Sequence, residues 1–80
     1  MNLGDIKFNQ ELDCRGLSCP LPVLKTKKTM DGMSSGDVLK MISTDPGSKN
    51  DIFAWGNRTG NEVLGMEDEG GEFAYFIKKA

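Results

Sequence analysis

The sequence predicts an α/β (α+β) two-layer sandwich with element order βαβαββ, a mixed four-stranded sheet carrying two helices on one face. Three observations support this. Turn signals divide the 80 residues into short segments of alternating type, with no internal repeat, low-complexity tract or linker. Val38, Leu39, Met41 and Ile42 make the stretch from Asp37 to Ser43 apolar nearly throughout, as in a central strand covered on both faces. Cys19-Pro20 and Asp45-Pro46 each place a proline where a helix can begin.

The elements follow in order. Lys7 to Leu12 reads as the first strand, with Phe8 and Leu12 on one face. The first helix should run from Pro20 to about Met30 and end at Asp31-Gly32. Leu21 and Leu24 are three apart, and Val23 and Met30 seven apart, so one side is apolar and the lysines take the rest. After the central strand, Asp45 caps a second helix that carries Ile52, Phe53 and Trp55 before Gly60 ends it, with Trp55 as a core anchor. Glu62 to Glu67 holds Val63, Leu64 and Met66. Glu72 to Lys78 alternates Phe73, Tyr75 and Ile77 against Ala74 and Phe76, and Gly70-Gly71 joins the two as a hairpin. The spacing of the aromatic residues Phe53, Trp55, Phe73, Tyr75 and Phe76 is that of core faces rather than of a ligand-stacking surface. A right-handed crossover would set the first two strands parallel, leaving one face of the sheet to solvent or a partner.

Composition narrows the function. With 38% hydrophobic and 28% charged residues, the chain has the apolar content for one core and hence one domain, residues 1–80. Two cysteines and no histidine argue against a disulfide scaffold and a structural zinc site, so no metal or cofactor is expected. No charged leader precedes an apolar run, and nowhere do about eighteen apolar residues follow one another, so the expectation is a cytoplasmic protein without membrane contact. In that reducing compartment Cys14 and Cys19 are free thiols by default. A net charge of -2 and a pI near 5.0 speak against direct nucleic-acid binding. Charge is nonetheless uneven: Lys25, Lys27 and Lys28 lie together, and Glu67, Asp68, Glu69 and Glu72 surround the paired glycines. These are either two solvated surfaces or, for the lysines, a face that steers an acidic partner.

The chemistry centres on Cys19-Pro20-Leu21-Pro22. With Cys19 at the cap, prolines at 20 and 22 remove their own donors at little cost, fix φ through the first turn, and leave the Leu21 N–H as the natural donor to sulfur. The positive end of the helix favours thiolate over thiol, and Lys25 adds to it if its side chain projects back. Such a thiolate can attack an enzyme's persulfide, and the same field would stabilise a bound one. A chain without histidine cannot build a Cys-His pair, which disfavours a hydrolase. Cys14-x4-Cys19 also lacks the spacing of a Cys-x-x-Cys redox centre, although it could close reversibly into a disulfide. Cysteine is a poor cap where Ser or Asp would serve, which favours a working role for Cys19. Cys14 reads first as a small buried residue and otherwise as a resolving thiol or second sulfur site. Asp13 and Arg15 either orient the loop by hydrogen bonds, or pair with each other or face water.

Leu12-Asp13-Cys14-Arg15-Gly16-Leu17-Ser18-Cys19-Pro20-Leu21-Pro22 resembles the Cys-Pro-x-Pro signature of the TusA/SirA-like sulfur carriers. Thr44-Asp45-Pro46-Gly47-Ser48, Asp51-Ile52, Trp55 and Thr59-Gly60-Asn61 are similar to that family's second-helix block, so the resemblance spans nearly the whole chain. It implies a sandwich shared with the C-terminal domain of a translation initiation factor, with a persulfide carried on Cys19 and Pro20 and Pro22 as turn formers. Asp13, Gly16 and Leu17 fit the family's lead-in. It further implies a cysteine desulfurase or rhodanese as sulfur donor, and a downstream sulfur-relay protein as acceptor, in pathways ending in tRNA thiolation, cofactor synthesis or sulfur oxidation. Any enzymatic activity would be a sulfurtransferase activity shared with partner enzymes, and a monomer is expected. The rival expectation is a protein-interaction or redox-regulatory module that uses Cys14 and Cys19 without moving sulfur.

Overall fold

The computed structural model describes residues 7–18 and 20–80. Its elements are β1 (Gln10–Cys14), α1 (Leu21–Asp31), β2 (Val38–Ser43), α2 (Ser48–Thr59), β3 (Glu62–Glu69) and β4 (Glu72–Lys78). The sheet order is β1-β2-β4-β3, with β1 parallel to β2 and the other neighbours antiparallel. This is the expected βαβαββ sandwich. β2 and β4 share the sheet interior, which explains why both read as densely apolar.

One face of the sheet is the core. Leu39 and Met41 of β2 and Tyr75 and Ile77 of β4 are fully buried and pack with Met30 of α1 and Ile52 and Trp55 of α2. A bulge between Val63 and Gly65 lets β3 contribute to the same layer: Val63 stands opposite Ile77 and Met66 opposite Tyr75, an odd spacing that a regular strand would split between faces. Leu64 is the displaced residue and is exposed. Across the core, the Tyr75 and Ser48 hydroxyls share a hydrogen bond of 2.8 Å, satisfying two buried polar groups and tying the start of α2 to β4. Gly70 and Gly71, with φ of 61° and 90°, form the hairpin turn that only glycine enters freely.

Several boundaries and faces differ from expectation. The first strand begins at Gln10 and runs to Cys14, because Asn9 interrupts the ladder: its N–H donates to the Val38 carbonyl, and its side-chain oxygen accepts from the Val38 N–H, both at 2.8 Å. Phe8 thereby turns to the other face, 6.2 Å from the Phe76 ring. α2 begins at Ser48 with Gly47 as its cap, since the Asp45 carboxylate accepts from Gly47 N–H at 3.1 Å and its carbonyl from Ser48 N–H at 3.0 Å in a turn ahead of the helix. α1 begins at Leu21, with Pro20 in the cap position expected for Cys19. The buried stripe of α1 is Pro22, Thr26 and Met30, whereas Leu21 and Leu24 are 45% and 54% exposed. Phe53 is likewise 37% exposed, one residue off the Ile52–Trp55 face.

Candidate functional site

The segment from the end of β1 to the start of α1 is held at several points. Cys14, Arg15, Gly16 and Leu17 form a turn closed by Leu17 N–H on the Cys14 carbonyl at 3.2 Å, with Gly16 at φ +80° in the position that requires glycine. The Asp13 carboxylate accepts from the Arg15 backbone N–H and, in a two-pronged pair, from Nε and Nη2, each at 3.0 Å. Of the alternatives open to these two residues, the structure shows both, pairing with each other and ordering the turn. Arg15 also reaches Glu72 of β4 at 3.9 Å. Gly16 N–H donates to the Thr44 hydroxyl at 2.9 Å, fastening the turn to the chain just beyond β2. In the sequence Thr44 stood out only as the first residue of the Thr44-Asp45-Pro46-Gly47-Ser48 block, with no role at the turn. The signal lay in Gly16, a left-handed turn residue whose donor needs a partner.

Electrostatics follow from these bonds. The Arg15 guanidinium lowers the Asp13 carboxyl to about 2, and Asp13 in turn raises Arg15 above its usual value. Burial pushes the Cys14 thiol up, Asp13 adds to the rise, and the Lys25 charge opposes it. Cys14 is 0% exposed and packs in the core cluster, as the plainer sequence reading held.

Cys19 lies outside the described residues, and its neighbours define the setting. Ser18 is exposed, and its carbonyl accepts from the Leu21 N–H at 2.9 Å, so this donor is spent on a turn rather than kept for sulfur. Pro20 is the helix cap, exposed, and its carbonyl accepts from the Leu24 N–H at 3.1 Å. Pro22 does more than fix φ: it is buried, and its carbonyl also accepts from the buried Thr26 hydroxyl at 2.7 Å. With Pro22 lacking a donor and no acidic residue in the first turn, the positive end of α1 keeps no carboxylate of its own to neutralise it.

Leu21, Leu24, Lys25 and Lys28 follow the i, i+3, i+4, i+7 pattern on the exposed side of α1, opposite Thr26 and Met30. Lys27 is engaged elsewhere, with Asp31 at 3.0 Å. The result is a solvent-facing stripe of two leucines and two lysines that starts two residues after Cys19. No helix among the described residues is long and apolar enough to cross a membrane.

Comparison with known proteins agrees with this arrangement. The family model described as Sulfurtransferase TusA matches residues 10–79. The sulfur carrier protein TusA of Allochromatium vinosum is 55% identical over 91% of this chain and 96% of its own length. A longer protein of Aquifex aeolicus is 50% identical over 98% of this chain, which spans 40% of it. Among solved structures, a SirA-like protein from Desulfitobacterium hafniense shares the fold with a TM-score of 0.77 at 21% identity, covering 88% of this chain and 96% of that one. The chain, from β1 through β4, belongs to the sulfurtransferase TusA family.

Proposed function

We propose that this chain is a one-domain sulfur carrier that holds a persulfide on Cys19 and passes it between partner proteins. The observation that carries the reading is the pair of segments that flank Cys19 in sequence, a fastened turn before it and a helix start free of first-turn carboxylates after it, in a chain 55% identical to a TusA sulfur carrier. Burial, which also raises its pKa, disfavours the Cys14 thiol as a nucleophile.

The Cys19 thiolate attacks the outer sulfur of a donor persulfide. A bond forms between Cys19 Sγ and that sulfur, the donor's S–S bond breaks, and the donor leaves as thiolate. In the second transfer an acceptor thiolate attacks the same outer sulfur, and the Cys19 thiolate is the leaving group. Sulfur moves with no net oxidant or reductant. Family membership supports a cysteine desulfurase or rhodanese as donor and a downstream sulfur-relay protein as acceptor in tRNA thiolation, cofactor synthesis or sulfur oxidation, with the carrier cytoplasmic and monomeric when free. The leucine–lysine stripe on α1 is suited to the donor, its leucines seating on an apolar surface and Lys25 and Lys28 meeting acidic residues.

The test is the intact mass of the reduced protein after incubation with a cysteine desulfurase and cysteine, or with a rhodanese and thiosulfate. Gain of one sulfur atom in wild type and Cys14→Ser, with none in Cys19→Ser, is the expected result. A folded chain that gains none from either donor would be an interaction module instead.

A further inference from the structure

The sheet face turned away from the helices has its own relief. Toward the Arg15 turn it forms an open depression lined by Lys40, Ile42, Glu67, Glu69, Glu72 and Ala74. Ile42 and Ala74 are register partners on β2 and β4 and make an aliphatic floor. Glu67 stands opposite Ala74, and Glu69 opposite Glu72, so the β3 side of the depression is a wall of carboxylates. Among the described residues the Lys40 ammonium makes no ion pair with that wall; it lies 5.4 Å over the Phe8 ring and 5.9 Å over Phe76. Among the described residues neither Glu67 nor Glu69 has an ion-pair partner, and Glu72 has the long contact of 3.9 Å to Arg15, whose closer bonds go to Asp13.

We infer that this depression docks a partner protein presenting a cationic side chain beside an apolar one, the opposite charge to the partner suited to α1. Charge complementarity commits the occupant: carboxylates around two aliphatic side chains match an Arg or Lys flanked by a residue such as Leu. The Arg15–Glu72 contact joins the depression to the turn that leads to Cys19, so a partner seated there reaches the same loop while the α1 stripe stays uncovered. The use of this surface rests on the carrier reading. A carrier meets two partners in turn, and two faces of opposite charge let it tell them apart.

The test titrates the isotope-labelled full chain with a short peptide alternating Lys and Leu, followed by amide NMR. Shifts should concentrate at Ile42, Glu67, Glu72 and Ala74. The combined variant Glu67→Gln, Glu69→Gln, Glu72→Gln, with an unchanged melting curve as proof of folding, should bind at least about tenfold more weakly. A Lys–Ser peptide of the same charge should also bind more weakly, because it lacks the apolar contact. Shifts on α1 or scattered over the surface, unchanged affinity in the variant, or equal affinity for both peptides would overturn the assignment. So would shifts of the same amides on concentrating the chain alone, which would mark the face as a contact between copies. Loading of wild type with glutathione persulfide, read by mass, tests the carrier reading separately: if it fails while the peptide result holds, only the use of the surface is lost.

Discussion

The Gly16 N–H and the Thr44 hydroxyl, 28 residues apart in sequence, meet at 2.9 Å and fasten the turn before Cys19 to the chain leaving β2. Gly16 takes a positive φ in the turn that Leu17 N–H closes on the Cys14 carbonyl, and its own N–H finds its acceptor on Thr44. Thr44→Val keeps the shape and removes the acceptor. About 1 kcal/mol or less of stability should be lost, as for a single exposed hydrogen bond, while the rate of sulfur acceptance by Cys19 falls several-fold. Thr44→Ser should restore both. A Val variant that accepts sulfur at the wild-type rate would show that the bond does not position the loop.

Much of this architecture was legible because burial and polarity agreed along it. Apart from Ser43, the buried residues of β2 and β4 are apolar or aromatic, and Trp55 falls on the inner face of α2 with Ile52. α1 misled because they disagree there. Its buried stripe includes Thr26, whose hydroxyl is satisfied by the Pro22 carbonyl, while two leucines stand in solvent. Hydropathy alone would pick the leucines as core. The β3 bulge was equally hidden, since a single extra residue changes which side chains face inward without altering composition. The Asp13, Arg15 and Gly16 lead-in was legible as a unit, but its fastening to Thr44 and Glu72 depends on strands far away in sequence.

Leu24 is the most exposed large apolar residue of α1 and lies on the stripe proposed to meet the donor. Leu24→Glu should change stability by no more than about 0.5 kcal/mol, since the side chain buries little. Loading of Cys19 from a protein persulfide donor should slow by about tenfold, through a lost apolar contact and a charge of the wrong sign. Loading from glutathione persulfide should not change. Equal slowing with both donors would point to damage at Cys19 rather than to docking.

The Asp13–Arg15 pair predicts a specific acid limb in the stability curve. The Asp13 carboxyl is lowered from its ordinary value of 3.8 to about 2, chiefly by the side-chain bond from Arg15. A lowered carboxyl stabilises the fold fully above its unfolded value, and the benefit fades as pH falls from 3.8 through about 2. Thermal melts of wild type and Asp13→Asn should therefore converge between those pH values and stay separated by a constant amount above pH 5. Both side chains are more than half exposed, so salt should narrow the separation. Curves that run parallel down to pH 2 would show that the pair does not contribute through ionisation.

Gly56 marks a close approach of α2 to the chain entering β3. A Cβ built there would stand 2.9 Å from the Asn61 carbonyl oxygen and 3.1 Å from Val63 Cγ2, and the first of these is backbone that cannot turn aside. That backbone is itself fixed: Gly60 N–H donates to the Gly56 carbonyl at 2.9 Å, and the Asn61 side-chain oxygen accepts from Ala80 N–H at 2.8 Å. In a solvent-facing helix position Gly→Ala would add about 1 kcal/mol of stability through helix propensity. Here crowding at a close contact should cost about 1–3 kcal/mol and outweigh that gain. Gly56→Ala should therefore lower the denaturant midpoint, and truncating the opposing side chain with Val63→Ala should recover little in the double variant, because the tighter contact is with the Asn61 carbonyl. A Gly56→Ala variant more stable than wild type would mean that α2 can slide away from β3, and that the glycine is there for some reason other than close packing.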